Sequence, residues 1–402
     1  MNDIPPQPKS SPSAALAILA AETETEPAFS IANSKVDLKY LVRALIKYSA
    51  SDLHIKVGRP PLYRINGKLV PAKMSALGKD QAESIIFGIL SAKQMVELEK
   101  NRQVDLSFRV EDYGRFRCNI YFQRGTVSAA IRMIPLTVPK IDDLGVPSVI
   151  KELCQRTRGL ILLTGATGSG KSTTLAGMIQ YINENSHHHI LAIEDPIEFL
   201  YRDLKSSITQ REVGTDIGNL QEGLHAGLRQ DPDVIMIGEL RDYHMIQAAL
   251  TAAETGHLVI STLHTNDARS TVDRILDVFP AEAKNQVRIQ LASSLVAVIS
   301  QQLVPRSDGS GRVAACEVMI KSPAIENYIL KNELDRIPEA IETSNNYYKM
   351  QTMNGALEKL IASGKIDTDT ALKYSFNPDE LRRKLSGISR ENGYEIVSGF
   401  QK

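Results

Sequence analysis

The sequence predicts an α/β protein in which a larger domain with a parallel sheet core follows a smaller α+β domain. From Gly159 onward, short apolar segments alternate with amphipathic stretches, a pattern typical of parallel strands connected by helices. Before that point, a helical pattern is followed by segments that alternate apolar and polar residues, as half-buried strands do. With 402 residues, the chain exceeds the roughly 250–300 residues at which single cores stop growing, so two domains are expected.

The smaller domain begins with a predicted helix, because apolar residues recur at helical spacing over residues 36–48. The segments LHIKV and LYRING then alternate as strands do. In residues 114–135, apolar and polar residues alternate on both sides of Arg124 and Gly125, which predicts a β-hairpin. Pro135 then begins a linker to the larger domain.

The larger domain contains four apolar segments that we interpret as parallel strands: LILLT, HILAIE, DVIMIGE and HLVISTL. After about residue 285 the pattern becomes mainly helical, apart from the turn RSDGSGR and the short strand VAACEVMI. Residues 1–34 are rich in Pro, Ser, Ala, Glu and Thr, a composition that cannot bury enough apolar surface to fold. The predicted organisation is a flexible tail at 1–34, domains at 35–138 and 139–385, and a tail at 386–402.

Composition limits the class of protein. Lys plus Arg and Asp plus Glu both number 47, so no overall charge favours nucleic acid or an anionic membrane surface. Cys118, Cys154 and Cys316 lack the spacing of metal ligands, and an odd count does not make a disulfide framework, which favours a reducing cytoplasm. No apolar run approaches the ~18 residues of a membrane span, so we expect membrane association only through partners. The segment SAALAILAAE is too short, and too poor in preceding basic residues, for a signal peptide.

The segment GATGSGKS matches the phosphate-binding pattern G-x-x-x-x-G-K-[ST] in full, between a predicted strand and a predicted helix. Glycine permits close approach of backbone amides to phosphates, and the helix N-terminus favours an anion. Lys171 is expected to reach the β- and γ-phosphates, and Ser172 is expected to bind Mg²⁺. The predicted nucleotide-binding residues are Gly165, Thr167, Gly168, Ser169, Gly170, Lys171, Ser172 and Thr173.

Carboxylates follow two of the predicted strands. Glu194 and Asp195 end one strand at the sheet edge where ligands bind in open α/β folds. Glu239 follows DVIMIG, at the place where many nucleotide hydrolases carry a magnesium-binding aspartate. Glu198, slightly further along, is equally compatible with a surface position.

Histidines form the other candidate group. His264 follows the end of the strand HLVISTL, and His257 stands at its start. Because such a strand spans roughly 20 Å, both cannot reach one phosphate, and His264 is the better sensor. His257 fits a structural role as well as a functional one. The adjacent histidines 187–189 are not expected to converge on a metal.

Four motifs in order resemble the secretion-type ATPases. The Walker A, Asp box, Walker B and His box elements match GATGSGKSTT, IEDPIEF, GLRQDPDVIMIGELRD and TAAETGHLVISTLHTNDA, and SSITQREVGTD lies among them. Further segments are similar to the retraction ATPases of type IV pili: TVDRILDVFP, VISQQLVPR, GRVAACEVMIKSPAI and the passage from AIETS to MQTM. The similarity spans about residues 36–380.

The resemblance implies a ring hexamer that binds ATP and Mg²⁺ between subunits and domains. Each subunit would have a PAS-like amino-terminal domain and a RecA-like ATPase domain. Glu239 would then be the general base for water, Glu194 would assist Mg²⁺ or the water, and His264 would sense the γ-phosphate. Arg117 and Arg132, with Arg124 as a further candidate, match the family's arginines that neutralise phosphate charge from another subunit or domain. An arginine supplied in this way contributes roughly 10³–10⁵ in rate. Arginines lying over a sheet face are the structural alternative.

The function implied is an ATP-driven motor that removes pilin subunits at the pilus base and so powers twitching motility. Such a motor would be cytoplasmic and peripheral at the inner membrane, with the pilus platform protein and a paralogous retraction ATPase as partners. An accessory retraction ATPase, or an ATPase for secretion or DNA uptake, is the alternative within the family. A RecA-like nucleic-acid translocase is disfavoured by the neutral charge and the lack of an aromatic-basic stripe, so no direct nucleic-acid contact is expected. A non-enzymatic ATP-gated scaffold is disfavoured because the phosphate loop and the proposed base are both intact.

The chain departs from the family pattern in two places. In AIENYILKNELDRI, Glu326 stands where retraction ATPases carry an arginine, which reverses the charge at that position. The amino-terminal extension of some thirty residues is the second departure, and its sequence gives no indication of a role.

Overall fold

The computed structural model describes residues 36–135 and 137–386. The predicted tails at 1–34 and 386–402 lie outside the described residues, apart from Ser386. The described residues separate into two compact units, the first ending at Ile134 and the second beginning at Pro135. Each unit is described by itself below. Among the described residues, no helix combines the length and the apolar character needed to span a bilayer.

The first unit is built on a six-stranded sheet in the order β3-β2-β1-β6-β5-β4, with antiparallel neighbours throughout. Its elements are α1 (Leu38–Lys47), β1 (Asp52–Lys56), β2 (Leu62–Ile65), β3 (Lys68–Pro71), α2 (Lys79–Phe87), α3 (Ala92–Asn101), β4 (Gln103–Val110), β5 (Gly114–Gln123) and β6 (Thr126–Met133).

The first helix and the hairpin of this unit confirm the sequence predictions. Helix α1 begins after Asp37, whose side chain accepts a hydrogen bond from the Tyr40 amide at 2.8 Å, as an N-cap does. Strands β5 and β6 pair up to Gln123 and Thr126, which leaves the two residues Arg124 and Gly125 as the turn. Both have positive φ, 50° and 76°, as the tightest hairpin turns require.

The second unit is built on a seven-stranded sheet in the order β13-β12-β7-β11-β10-β8-β9, parallel except for the antiparallel pair β12–β13. Its first half contains a 3₁₀ helix (Ile141–Leu144), α4 (Val149–Leu153), β7 (Gly159–Thr164), α5 (Lys171–Asn185), β8 (His189–Glu194), β9 (Ser207–Glu212), α6 (Leu220–Gly227), β10 (Val234–Ile237), α7 (Tyr243–Glu254) and β11 (Leu258–Leu263). Its second half contains α8 (Ala268–Asp277), α9 (Lys284–Ser294), β12 (Leu295–Pro305), β13 (Arg312–Ile320), α10 (Pro323–Lys331), a 3₁₀ helix (Leu334–Arg336), α11 (Ile337–Thr343), α12 (Asn345–Tyr348), α13 (Met353–Ala362), α14 (Thr368–Tyr374) and α15 (Pro378–Leu385).

The predicted α/β class and parallel core are confirmed, with one correction. The prediction that the chain is mainly helical after about residue 285 missed β12, an eleven-residue strand that pairs with β7 on one side and β13 on the other. Its sequence LVAVISQQLVP begins as a continuous apolar run, and such runs do not distinguish a buried strand from a buried helix by periodicity.

The central strands set up the candidate site. Every residue of β7, β10 and β11 is buried, as expected for parallel strands covered on both faces. Because β7, β8, β10 and β11 run in the same direction, the segments that follow them all meet at one edge of the sheet. Strand β11 lies between β7 and β10 in this order.

Candidate active site

The phosphate-loop glycines are fixed by their packing against β12. Gly165 and Gly170 have φ of +141° and +89°. A Cβ at Gly165 would lie 2.3 Å from the carbonyl oxygen of Gln301, and a Cβ at Gly170 would lie 2.7 Å from Nε2 of the same residue. Gly168 has a φ of +81° with open space where a Cβ would stand. Two of the three glycines are therefore required by the close approach of β12, and the third by its backbone conformation alone.

Gln301 was not predicted, although it holds the loop. Its side chain is buried and donates to the Ser169 carbonyl oxygen at 2.9 Å, while it accepts from the Thr174 hydroxyl at 2.8 Å. A polar Gln301–Gln302 pair that interrupts an apolar run is the signal that could have found it, because a buried amide needs partners of its own.

The Lys171 side chain folds back over the loop. Its Nζ donates to the carbonyl oxygens of Gly165 at 2.7 Å and Ala166 at 3.1 Å, and lies 3.5 Å from Nδ1 of His264. Burial lowers the pKa of Lys171, and the negative charges of Glu239 and Glu198 act in the opposite direction. The ammonium group is thus placed inside the loop, where a buried positive charge gains from an anionic partner.

Two further features of the loop fit an anion. Helix α5 begins after Gly170 without a side-chain cap among the described residues, so its first amides remain available. The Ser169 hydroxyl is buried and has no hydrogen-bond partner within the described part of the chain. Thr167 and Gly168 are exposed, and Ser172 and Thr173 are half-buried at the start of the helix.

Glu239 and His264 are brought together at the strand ends after β10 and β11. Oε1 of Glu239 lies 3.1 Å from Nε2 of His264, and its Oε2 accepts from Nε of Arg241 at 3.2 Å. Arg241 also donates through Nη1 to Oδ2 of Asp195 at 3.0 Å. With the His264–Lys171 contact, side chains from four segments form one continuous row. No role for Arg241 was predicted, since contacts between loops are not visible in sequence spacing.

Glu194 lies apart from this row. Its side chain is 5 % exposed, and its two oxygens accept from the Gln210 amide at 3.0 Å and the Glu198 backbone amide at 3.2 Å. Burial raises the pKa of Glu194 to about 7, although these two hydrogen bonds oppose the rise. Its bonds run toward β9 and the loop after β8, whereas the next residue, Asp195, reaches Arg241.

The buried carboxyl of Glu194 gives a pH-dependent prediction. The folded state keeps a proton that the unfolded chain releases above about pH 4.5, so this contribution to stability is complete below that pH and is lost as the pH rises through about 7. Between about pH 5 and pH 8, the wild type is expected to lose up to about 3 kcal/mol more stability than Glu194→Gln does. Melting temperatures of the two proteins across this range, without nucleotide, provide the measurement.

The exposed Glu198→Gln, a change in the same loop, is the matched control and should keep most of the wild-type pH dependence. Parallel curves for the wild type and Glu194→Gln would contradict the assignment of the pH dependence to this carboxyl group.

Local contacts hold three of the other candidate histidines, His257, His188 and His189. His257 lies at the opposite end of β11 from His264, and its Nδ1 is 2.9 Å from the Ala252 carbonyl oxygen, which favours the structural role. In the histidine run, the His189 ring lies 3.0 Å from the Thr209 hydroxyl, and His188 lies 3.6 Å from Asp233.

The hairpin arginines belong to the first unit. Arg117 on β5 stands directly opposite Arg132 on β6, and both side chains are exposed. Nε of Arg132 is 2.7 Å from Oδ1 of Asp52, whose side chain is only 10 % exposed, and Arg64 lies 3.4 Å from the other oxygen. Burial of Asp52 acts to raise its pKa, but hydrogen bonds from Arg132 and Ser51, together with the positive charges of Arg132 and Arg64, lower it. Arg132 therefore already has a structural partner, whereas no ion pair of Arg117 is found among the described residues.

Glu326 lies at the start of α10, where it pairs within the chain. Its Oε2 is 3.6 Å from Nζ of Lys321. The reversed charge at this position is thus compensated by a neighbouring lysine.

A glycine-rich loop at a helix N-terminus, a lysine inside it, and a glutamate and a histidine at adjacent strand ends define a P-loop ATPase. The family model described as Type II/IV secretion system protein matches residues 32–362. The chain belongs to this family.

The similarity to two pilus ATPases extends over nearly their whole length. The chain is 44 % identical over 346 residues to the type IV pilus retraction ATPase PilT of Pseudomonas aeruginosa, covering 86 % of this chain and 100 % of PilT. It is 37 % identical over 363 residues to the type IV pilus ATPase PilU of the same organism, covering 90 % and 95 %. A crystal structure of the pilus retraction motor PilT with bound ADP superposes with a TM-score of 0.82 at 44 % identity, covering 87 % of this chain and 99 % of that one. The resemblance to pilus retraction ATPases inferred from the motifs is confirmed.

Proposed function

We propose that this protein is an ATP-hydrolysing motor that powers retraction of a type IV pilus by removing pilin subunits at its base. The observation that supports this most directly is the row of Lys171, His264 and Glu239 at one sheet edge, in a chain that spans all of PilT. Lys171 lies inside the loop that would hold the phosphates, and His264 contacts Lys171. Glu239 provides a carboxylate next to His264.

ATP fits the residues present. Lys171 and the amides at the start of α5 would hold its phosphates, and the buried Ser169 hydroxyl would gain a polar partner. Ser172 would hold Mg²⁺, which supplies neutralisation of phosphate charge when bound. We assign Glu194 an assisting role toward the metal or the water, from the end of β8.

Within this arrangement, Glu239 is the proposed general base. Its carboxylate is held on one side by Arg241 and on the other by His264, which leaves it fixed in direction at the sheet edge. His264, between Glu239 and Lys171, contacts both groups and is the proposed γ-phosphate sensor. Loss of the γ-phosphate on hydrolysis would then affect the position of Glu239 through the His264 imidazole ring.

Glu239→Gln should leave ATP binding largely intact while turnover falls by about 10² or more, as for loss of a general base. The amide keeps the shape of the side chain but cannot take a proton from water. Phosphate release under saturating ATP, together with binding of a fluorescent nucleotide, provides the measurement. Equal loss of binding and turnover would show that Glu239 is structural or organises the metal.

We further propose a ring hexamer in which Arg117 and Arg132 complete the nucleotide site from another subunit or domain. The mass in solution is then expected to be six times 44.3 kDa, measurable by light scattering. A fully active monomer would contradict the ring.

In the cell, the protein would lie at the cytoplasmic side of the inner membrane, with the pilus platform protein and a paralogous retraction ATPase as partners.

The direction of the motor is tested by deleting the gene and counting surface pili. Accumulation of long pili supports retraction, and loss of pili supports extension. An accessory retraction ATPase is the second candidate, because PilU matches as much of the chain as PilT does. Expression in a strain that lacks both PilT and PilU distinguishes a principal motor from an accessory one, since only a principal motor restores twitching on its own.

A further inference from the structure

Arg241 lies in the candidate active site, and the proposed mechanism gives it no role. It stands two residues after Glu239, in the segment between β10 and α7. Its guanidinium donates to two carboxylates from different strand ends, Glu239 through Nε at 3.2 Å and Asp195 through Nη1 at 3.0 Å. Burial acts to lower the pKa of Arg241, but its hydrogen bonds to Glu239 and Asp195 and their negative charges raise it.

The backbone around Glu239 is already fixed by the neighbouring strands. The Gly238 amide donates to the Ile193 carbonyl oxygen at 2.9 Å, and the Gly238 carbonyl oxygen accepts from the Thr262 hydroxyl at 2.7 Å. The Leu240 amide donates to the Thr262 carbonyl oxygen at 3.1 Å. The main chain before and after Glu239 is therefore held, and what remains free to rotate is the side chain itself.

Only side-chain contacts can then direct the carboxylate. A glutamate has three rotatable side-chain bonds, and a general base must lie within hydrogen-bond reach of the proton that it takes. His264 holds one oxygen of Glu239 and Arg241 holds the other. The planar guanidinium fork gives a fixed direction that an ammonium group would not give.

We propose that Arg241 is a positioning residue for ATP hydrolysis, which orients the Glu239 carboxylate by joining it to Asp195 at the next strand end. This inference rests on the proposed role of Glu239 as the general base. Arg241 acts through Glu239 and is not assigned a contact with the nucleotide. Asp195 in turn holds the guanidinium from the far side, so the two carboxylates share one cation.

The first test compares Arg241→Ala with the wild type in steady-state hydrolysis. kcat is expected to fall by roughly 10–10²-fold, the scale of a misplaced catalytic group, while KM and nucleotide binding stay nearly constant. Arg241→Lys should recover little of the loss, and Asp195→Asn should show a smaller loss of the same kind. Arg382→Ala is the matched control, since Arg382 is also exposed and pairs with a carboxylate, Asp379, at 2.9 Å. A parallel rise in KM and loss of binding in Arg241→Ala would contradict a positioning role.

Chemical rescue separates orientation of the carboxylate from general support of the fold. The Arg241 side chain is 52 % exposed, so guanidinium ion at low millimolar concentration can enter the space left by Arg241→Ala. Turnover of that variant is expected to rise severalfold with guanidinium and not with sodium or methylammonium at equal ionic strength. Equal responses to the three cations would overturn the inference.

A double-mutant cycle distinguishes failure of this inference from failure of the proposed base. If Arg241 acts through Glu239, adding Arg241→Ala to Glu239→Gln should cause no further loss of turnover. An undiminished additional loss in the double variant would show that Arg241 acts independently, and the inference fails while the base assignment stands. Near-normal turnover in Glu239→Gln alone would remove the base assignment, and the positioning role would fall with it.

Discussion

Replacing Lys171 by alanine is expected to abolish ATP hydrolysis, with turnover lowered by at least about 10²–10³-fold, the scale seen when one donor to a developing charge is removed. The Lys171 ammonium group lies inside the loop, bonded to the carbonyl oxygens of Gly165 and Ala166. Burial lowers its pKa, so the protein holds this charge at a cost that an anionic phosphate would offset. Steady-state phosphate release and nucleotide binding provide the measurement.

Two variants sharpen the interpretation of that experiment. Lys171→Met keeps the packing of the apolar stem and removes the charge, so it should be as inactive as the alanine variant. Lys205→Ala removes an exposed lysine elsewhere in the same unit and should keep normal turnover. Persisting hydrolysis in both Lys171 variants would contradict the placement of the nucleotide in this loop.

The second large effect is expected at Arg117. If its guanidinium neutralises phosphate charge from another subunit or domain, Arg117→Ala should cut turnover by about 10³–10⁵ while ATP affinity changes little. Arg117 gives a cleaner test than Arg132, because removing Arg132 also leaves the largely buried Asp52 with Arg64 as its remaining cation. Lysine should rescue poorly, since a point charge does not reproduce the guanidinium fork.

Mixed rings decide whether Arg117 acts across an interface. Combining Arg117→Ala subunits with Glu239→Gln subunits should restore part of the activity, since some interfaces then join an intact arginine to an intact base. Arg109→Ala, on the neighbouring strand β4, removes another exposed arginine and should leave turnover unchanged. Normal turnover in the Arg117 and Arg132 alanine variants would eliminate the arginine proposal. Absence of recovery in well-mixed rings would indicate a site within one chain or strict coupling around the ring.

The sequence predicted which segments end at the site, but not which of them are neighbours. The phosphate loop, Glu239 and His264 each follow an apolar strand, so their arrival at one sheet edge follows from the parallel pattern. Sheet order is a different property, because it depends on how the connecting helices pack. The structure places β11 between β7 and β10, and this order explains why His264 touches both Lys171 and Glu239.

Two strands of the second unit were not predicted, for opposite reasons. Strand β12 is too uniformly apolar at its start to show a strand period. Strand β9, with the sequence SITQRE, is a half-buried edge strand whose polar residues carry little hydrophobic signal. Gln301 was not predicted because the strand that carries it, β12, was not predicted. The contacts of Arg241 were not predicted because the sequence does not show which loops lie close together.

The contact of Gln301 with the phosphate loop has a consequence for how the protein can be divided. The Walker A, Asp box, Walker B and His box motifs occupy a stretch that ends at Ala268, and a fragment cut after α9 would retain all four. Such a fragment would lack the amide that bonds Ser169 and Thr174 from 132 and 127 residues away. A fragment that carries only the catalytic motifs is therefore expected to lack part of the support for its nucleotide loop. A transfer of this loop into another protein needs the carboxyl-terminal third of the chain as well.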